Sequence, residues 1–135
     1  MSWPSTKVIK RDKVDRLFSV YIRTRDEWKC KNCGREFEEK DRRRLQCAHV
    51  WYSRRYYVTR FDERNCHALC FGCHNKLAES PGLAYEFIRD KTPRNGLANL
   101  VRKFSKRNDL KEQSYKVVRE YIYEDIKRKL ESLNN

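Results

Sequence analysis

The chain has 135 residues, enough for one modest core with an added element, and 38% of them are charged. Lys and Arg number 32 against 19 Asp and Glu, a net charge of +13, and an isoelectric point near 9.7 fits a polyanionic partner. No apolar run is long enough to span a bilayer and no secretory or lipidation motif is present. This argues against a membrane protein and predicts an intracellular, cytoplasmic one with reduced cysteines.

A mean hydropathy of −1.03 points towards disorder. Against it, 13% aromatic residues and regular apolar spacing predict order. In chain order, residues 1–11 read as a basic, frayed tail in which Trp3-Pro4 docks locally. Asp12 is suited to cap a helix running to about Asp26, with Val14, Leu17, Phe18, Tyr21 and Ile22 on one face and Arg16, Arg23 and Arg25 on the other. Cys30-x-x-Cys33 forms a tight knuckle, and Gly34 suits the turn after its second sulfur. A charged connection over 36–44 leads to a strand over 45–50, a long basic and aromatic loop over 51–64, and a returning strand over 65–69. Cys70-x-x-Cys73 opens a second knuckle, and His74 starts a short helix to about Ala78, ended or interrupted at Pro81-Gly82.

Beyond Pro81 the pattern is helical only. Leu83, Phe87 and Ile88 mark one segment, and Leu97, Leu100, Val101 and Phe104 another after Pro93. Tyr115, Val118, Ile122, Ile126, Leu130 and Leu133 stripe a long final helix. These patterns predict an α+β chain: a zinc-stabilised core with its preceding helix over 12–80, and a helical extension over 81–135. The apolar stripe of the last helix serves core packing or a homodimer interface.

The two C-x-x-C pairs offer four thiolates, the donor set that structural Zn²⁺ prefers, so Cys30, Cys33, Cys70 and Cys73 are predicted to bind one ion. Cys47 and Cys66 lie outside the pairs and read as packing on the inner face of the strands; Cys66 competes as a ligand only at poorer spacing. Arg42, Arg43, Arg44, Arg54, Arg55, Arg60 and Arg64 crowd around the proposed hairpin, interleaved with Trp51, Tyr52, Tyr56 and Tyr57. A charge run is usually a solvated face. Here arginine forks for phosphates and rings for unpaired bases predict a DNA-contact loop whose affinity falls steeply with salt.

From Asn65 the chain reads N-C-H-A-L-C-F-G-C-H, with His49 upstream. This resembles the HNH (ββα-metal) endonuclease motif built on a treble-clef zinc fold. There a histidine ends the first strand, an asparagine sits between the strands and a histidine opens the following helix, the positions of His49, Asn65 and His74. Two stretches, Leu17 to Asp26 and Thr59 to Cys70, are similar to the phage NinG (Rap) recombination nucleases, over roughly Asp12 to Ile88. The resemblance implies a DNA endonuclease acting on branched recombination intermediates such as Holliday junctions and D-loops. In that reading His49 activates water and His74 binds a single Mg²⁺ or Mn²⁺ ion on the scissile phosphate. Asn65 holds the loop carrying His49 by bonding backbone groups, and the products carry 5′-phosphate and 3′-hydroxyl ends.

The chain departs from that pattern at Ala48, where the family usually has an Asp or His metal ligand, and at Ala78, where some members place a further histidine. His67 and Asp62 are the candidates to complete the ion's shell, with Asn75 a weaker one. Two other readings stand beside the first: a non-catalytic treble-clef module that binds DNA or RNA, and an HNH nickase or packaging nuclease of another phage pathway.

Overall fold

The computed structural model describes residues 10–107 and 111–135. The expected docking of Trp3-Pro4 lies outside them. Along the described chain run α1 (Lys13–Arg25), β1 (Leu45–His49), α2 (Tyr57–Arg60), β2 (Cys66–Cys70), α3 (Phe71–Glu79), α4 (Pro81–Lys91), α5 (Gly96–Arg107) and α6 (Glu112–Leu133). The class is α+β, with a small two-stranded antiparallel sheet.

Helix α1 begins where its sequence can satisfy the free N–H groups of a helix start. The Asp12 carboxylate accepts from the Val14 and Asp15 N–H groups, and the Asp15 carboxylate accepts in return from the Asp12 N–H. The helix stops at Asp26, and Glu27 and Trp28 then take left-handed φ values of 59° and 55°. That reversal folds the first knuckle back towards the strands: the Lys31 N–H donates to the Ala68 carbonyl of β2 at 2.9 Å.

The strand register pairs Leu45 with Cys70, Cys47 with Ala68 and His49 with Cys66, while Gln46 meets Leu69 and Ala48 meets His67. Because side chains alternate across a strand, the first three pairs share one face and the last two the other. Cys66 and Cys47 pack with Val14, Phe18, Tyr21 and Ile22 of α1. Ala48 and Leu69 pack with Leu77 of α3 and Phe87 and Ile88 of α4. The hairpin is thus a thin wall between two small cores.

Three features differ from the sequence reading. The long loop after β1 contains the short helix α2. Helix α3 ends at Glu79, just before Pro81 as expected, but Pro81 also starts a helix: it sits in the first turn of α4, where its missing N–H is no loss, and the Ser80 hydroxyl caps the Leu83 N–H. Helix α6 is no appendage, because Ile126, Ile122, Tyr123 and Leu130 complete the core built on α1. Polar ties fasten it as well: Lys13 meets Glu120 at 2.8 Å, Lys129 meets Glu63 at 3.2 Å, and the Tyr115 hydroxyl donates to the Asp12 carboxylate at 2.5 Å. The predicted stripe is split, with Tyr115 and Ile126 buried while Val118 and Leu133 are exposed. At the start of α5, Gly96 is dictated by space, since a Cβ there would lie 2.0 Å from the Thr92 methyl group.

Candidate metal centre and the adjoining hairpin

The four cysteines of the two knuckles come together. Their sulfurs lie within 4.8 Å of one another, and among the described residues no other group of three or more His, Cys, Asp or Glu clusters this way. Cys33 Sγ and Cys70 Sγ are 3.8 Å apart. Zn–S bonds of about 2.3 Å in a tetrahedron place sulfurs about 3.8 Å apart, so the donor set fits zinc in both chemistry and size. Local backbone builds it. Gly34, at φ 79°, donates its N–H to the Cys30 carbonyl at 2.8 Å to close the first knuckle. Cys70 is the N-cap of α3 and Cys73 lies in its first turns, where the helix dipole favours anionic sulfur.

The surrounding groups prepare thiolates unequally. Burial pushes the Cys30 thiol up, but the backbone N–H groups of Cys33, Cys70 and Asn32 outweigh it and bring it down to about 7. Burial and the neighbouring sulfurs push Cys73 up to about 12, partly offset by the Asn32 amide, whose Nδ2 donates to Cys73 Sγ at 3.3 Å. Four adjacent sulfurs cannot all ionise without a cation between them, which is the electrostatic form of the same fit. Cys66 is fully buried with its thiol held well above the ordinary range by burial, as befits a packing residue.

His49 stands at the end of β1, against Asp15, Phe18 and Ser19 of α1. Its Nε2 donates to the Arg60 carbonyl at 2.9 Å, leaving the lone pair of the neutral ring on Nδ1. Burial, with Arg54 and Arg60 nearby, lowers its pKa to about 4, against the partial support of the Arg60 carbonyl. Asn65 is wholly buried just before β2. Its Oδ1 accepts from the Trp51 and Tyr52 N–H groups at 3.1 and 2.8 Å, and its Nδ2 donates to the Tyr52 carbonyl at 2.8 Å and the Thr59 carbonyl at 3.5 Å. Its own carbonyl accepts from the Val50 N–H at 2.9 Å. One side chain thus pins the turn that leaves His49.

His74 is placed differently. Its Nδ1 donates to Gln46 Oε1 at 2.6 Å, which leaves Nε2 as the accepting nitrogen. Burial lowers its pKa. Gln46 and His49 alternate across the pleat of β1, and the two imidazoles are held by different partners, His49 by the Arg60 carbonyl and His74 by Gln46.

The expected companions of an active-site ion do not assemble. His67 is buried edge-on against Phe87, with Nε2 donating to the Arg64 carbonyl at 3.2 Å, and burial lowers it to about 4. Burial pushes the Asp62 carboxyl up, but Arg64 and Lys103, at 2.7 and 2.9 Å, hold it down at about 2, so its charge is already neutralised. Asn75 is exposed on α3.

The predicted contact residues divide in the same way. Arg42, Arg43 and Arg44 are exposed on the approach to β1, Arg44 beside Asp41. Arg54 and Arg55 are half-buried, Arg54 lying 3.6 Å from Asp15. Arg64 is committed to Asp62. Tyr56 packs edge-on against Phe104 of α5, and Tyr57 leans on Tyr115 of α6.

Arg60 is not an available contact. It is 1% exposed, its Nε and Nη2 grip the Asp15 carboxylate at 2.9 and 2.5 Å, and Tyr57, Phe61 and Tyr115 surround the guanidinium. Sequence reasoning missed this pair because arginine is normally a surface residue. The available signal was Asp15, an acid on the apolar side of α1 between Val14 and Phe18.

No family model matches the chain, and neither a curated protein nor a solved structure matches it.

Proposed function

We propose that the protein is a zinc-stabilised DNA endonuclease of the HNH, treble-clef type, hydrolysing phosphodiester bonds and selecting branched recombination intermediates. The observation that carries the reading is the Asn65 network: a fully buried amide spends its bonding capacity on the backbone that follows His49. That amide fixes the backbone leading away from His49, which is what aiming the neighbouring imidazole requires. His49 has the properties of a base that accepts a proton from water. It is neutral throughout the physiological range, and its tautomer is fixed by a carbonyl. A ring with so low a pKa is a weak base until an anion approaches; a phosphate beside it raises the value and strengthens the base as substrate binds. The +13 charge supplies the attraction for that substrate.

The roles follow from the atoms. Cys30, Cys33, Cys70 and Cys73 hold the zinc, whose contribution is structural. His49 Nδ1 takes the water's proton, Asn65 positions the turn, and exposed Arg42, Arg43 and Arg44 draw in the phosphodiester chain. A Mg²⁺ or Mn²⁺ ion would neutralise charge on the scissile phosphate. His74, His67 and Asp62 do not form a ligand set for it, so no step is assigned to them.

That no second cluster of metal-ligating side chains stands beside His49 among the described residues favours a second reading: the same module clamps DNA or RNA without cutting it. Incubating labelled four-way junctions, flaps, single strands and plain duplex with zinc-loaded protein, with and without added Mg²⁺ or Mn²⁺, decides between them. The nuclease reading expects cleavage of branched substrates that is lost in His49→Ala with binding retained. Retention of bound junction with no product under any condition establishes the clamp.

A further inference from the structure

We propose that the groove between Trp51, Tyr85 and the turn joining α4 to α5 receives an unpaired nucleotide of DNA, its base against the two rings and its phosphates towards Arg89 and Arg94. This deepens the DNA reading above and rests on it. The groove has a volume of about 660 Å³ and is lined by these four residues with Leu97 and Val101, among others. That size lies within the range of about 300–1,000 Å³ typical of small-molecule sites.

Its walls are of two kinds. One is aromatic and apolar. The Trp51 and Tyr85 rings meet at 60° with centroids 6.3 Å apart, and Tyr85 is left 46% exposed and Val101 38% exposed. The other is cationic: Arg89 leans over the Tyr85 ring at 5.8 Å, and Arg94 follows on the turn. Asp90 also lines the groove and holds the Arg89 Nε at 3.0 Å. It keeps that guanidinium over the ring and offers an acceptor for an exocyclic amino group of a base.

The occupant follows from this chemistry. Two arginines on a chain of net charge +13 call for an anionic group beside whatever covers the apolar wall. A duplex presents phosphates but keeps its base faces stacked. An unpaired nucleotide offers both, an aromatic face and a phosphate a few ångströms apart. The groove is also tied to the hairpin, because the Trp51 N–H is one of the donors to Asn65 Oδ1. A base held on Trp51 therefore places its strand at the turn that leaves His49, where a junction or flap supplies single-stranded DNA.

The test uses the zinc-loaded full-length protein without Mg²⁺ or Mn²⁺, so that binding is read apart from cleavage. Fluorescence anisotropy compares labelled dT12, rU12 and a 12-base-pair duplex. Tyr85→Ala should weaken dT12 roughly tenfold while leaving the duplex unchanged, and Tyr85→Phe should stay within about twofold of wild type. Val101→Glu, on the facing wall, should weaken dT12 in the same selective way. Tryptophan emission should be quenched by dT12, and that quench should vanish in Trp51→Phe.

Unchanged dT12 affinity in both Tyr85→Ala and Val101→Glu overturns the proposal. So does an equal loss for duplex and single strand, or tighter binding of rU12 than of dT12. Selective dT12 binding through Tyr85 by a protein that cuts nothing keeps this site and removes the nuclease reading. Junction cleavage with dT12 binding indifferent to Tyr85 does the reverse.

Discussion

Removing Asp15 should unfold much of this protein, and the size of the effect follows from what the carboxylate holds. Arg60 is buried with Asp15 as its bidentate counter-charge, and Arg54 approaches the same carboxylate at 3.6 Å. In Asp15→Ala, Arg60 is left desolvated and unpaired, which costs about 3–5 kcal/mol. The Asp12 N–H also loses its acceptor in the capping box, worth about 1 kcal/mol. Together the loss is about 4–6 kcal/mol, against a total stability of roughly 7–20 kcal/mol for 135 residues. Thermal unfolding of the zinc-loaded protein, followed by circular dichroism, should show Tm falling by about 15–25 °C. Replacing the whole pair, Asp15→Leu with Arg60→Met, should recover most of that loss, since no charge is then stranded and the methionine fills the cage of rings. A loss below about 1 kcal/mol in the single variant, or a double variant no more stable than the single, would show that the pair is not the buried lock described.

Three further outcomes follow. Chelation should release one zinc per chain, and Cys70→Ser should abolish cooperative unfolding, because a structural site contributes about 10–16 kcal/mol, comparable to the whole fold; a Cys70→Ser protein that melts like wild type refutes the metal centre. Acid should destabilise the wild type by about 3 kcal/mol through His49, since the unfolded ring binds a proton near pH 6.5 and the folded one only near 4. That stability is present above pH 6.5 and is lost as pH falls towards 4. His49→Gln should flatten this part of the denaturation profile, and superimposable profiles count against burial of a neutral ring. Asn65→Ala should cost about 3 kcal/mol by stranding the Trp51 and Tyr52 N–H groups, and should reduce cleavage while zinc content stays at one per chain; full activity in this variant removes Asn65 from the positioning role.

Much of the architecture was legible because local rules agreed with one another. Asp12 announced the start of α1, the apolar spacing from Val14 to Ile22 gave its buried face, and the twin C-x-x-C pairs gave the cysteine cluster. Errors came where the answer depends on partners distant in sequence. Nothing in the local composition around Arg60 says that Asp15, 45 residues earlier, will take it into the core. Pro81 does both things a proline can: α3 ends just before it, as the sequence announces, and Ser80 in the capping position lets it begin α4, which the sequence leaves open. The face of His49 was likewise undetermined. Spacing fixes how far apart His49, Asn65 and His74 lie along the chain, but the face depends on strand register, and a shift of one residue would exchange His49 with Ala48.

The register makes the metal centre and the hairpin a single device. Cys70 is at once the last residue of β2, the partner of Leu45 and a sulfur donor, so an ion bound there fixes where β2 ends and hence where it begins. Asn65 immediately precedes β2, and the Lys31 N–H of the first knuckle grips the Ala68 carbonyl within it. Tension or release at the sulfurs is therefore passed along five residues of strand to the amide that holds the turn after His49. An ion bound at these sulfurs would thus also steady Asn65 and, through it, the turn bearing Trp51 and Tyr52. The two halves differ in what secures them, since α1 and α6 are joined by apolar packing that requires no metal.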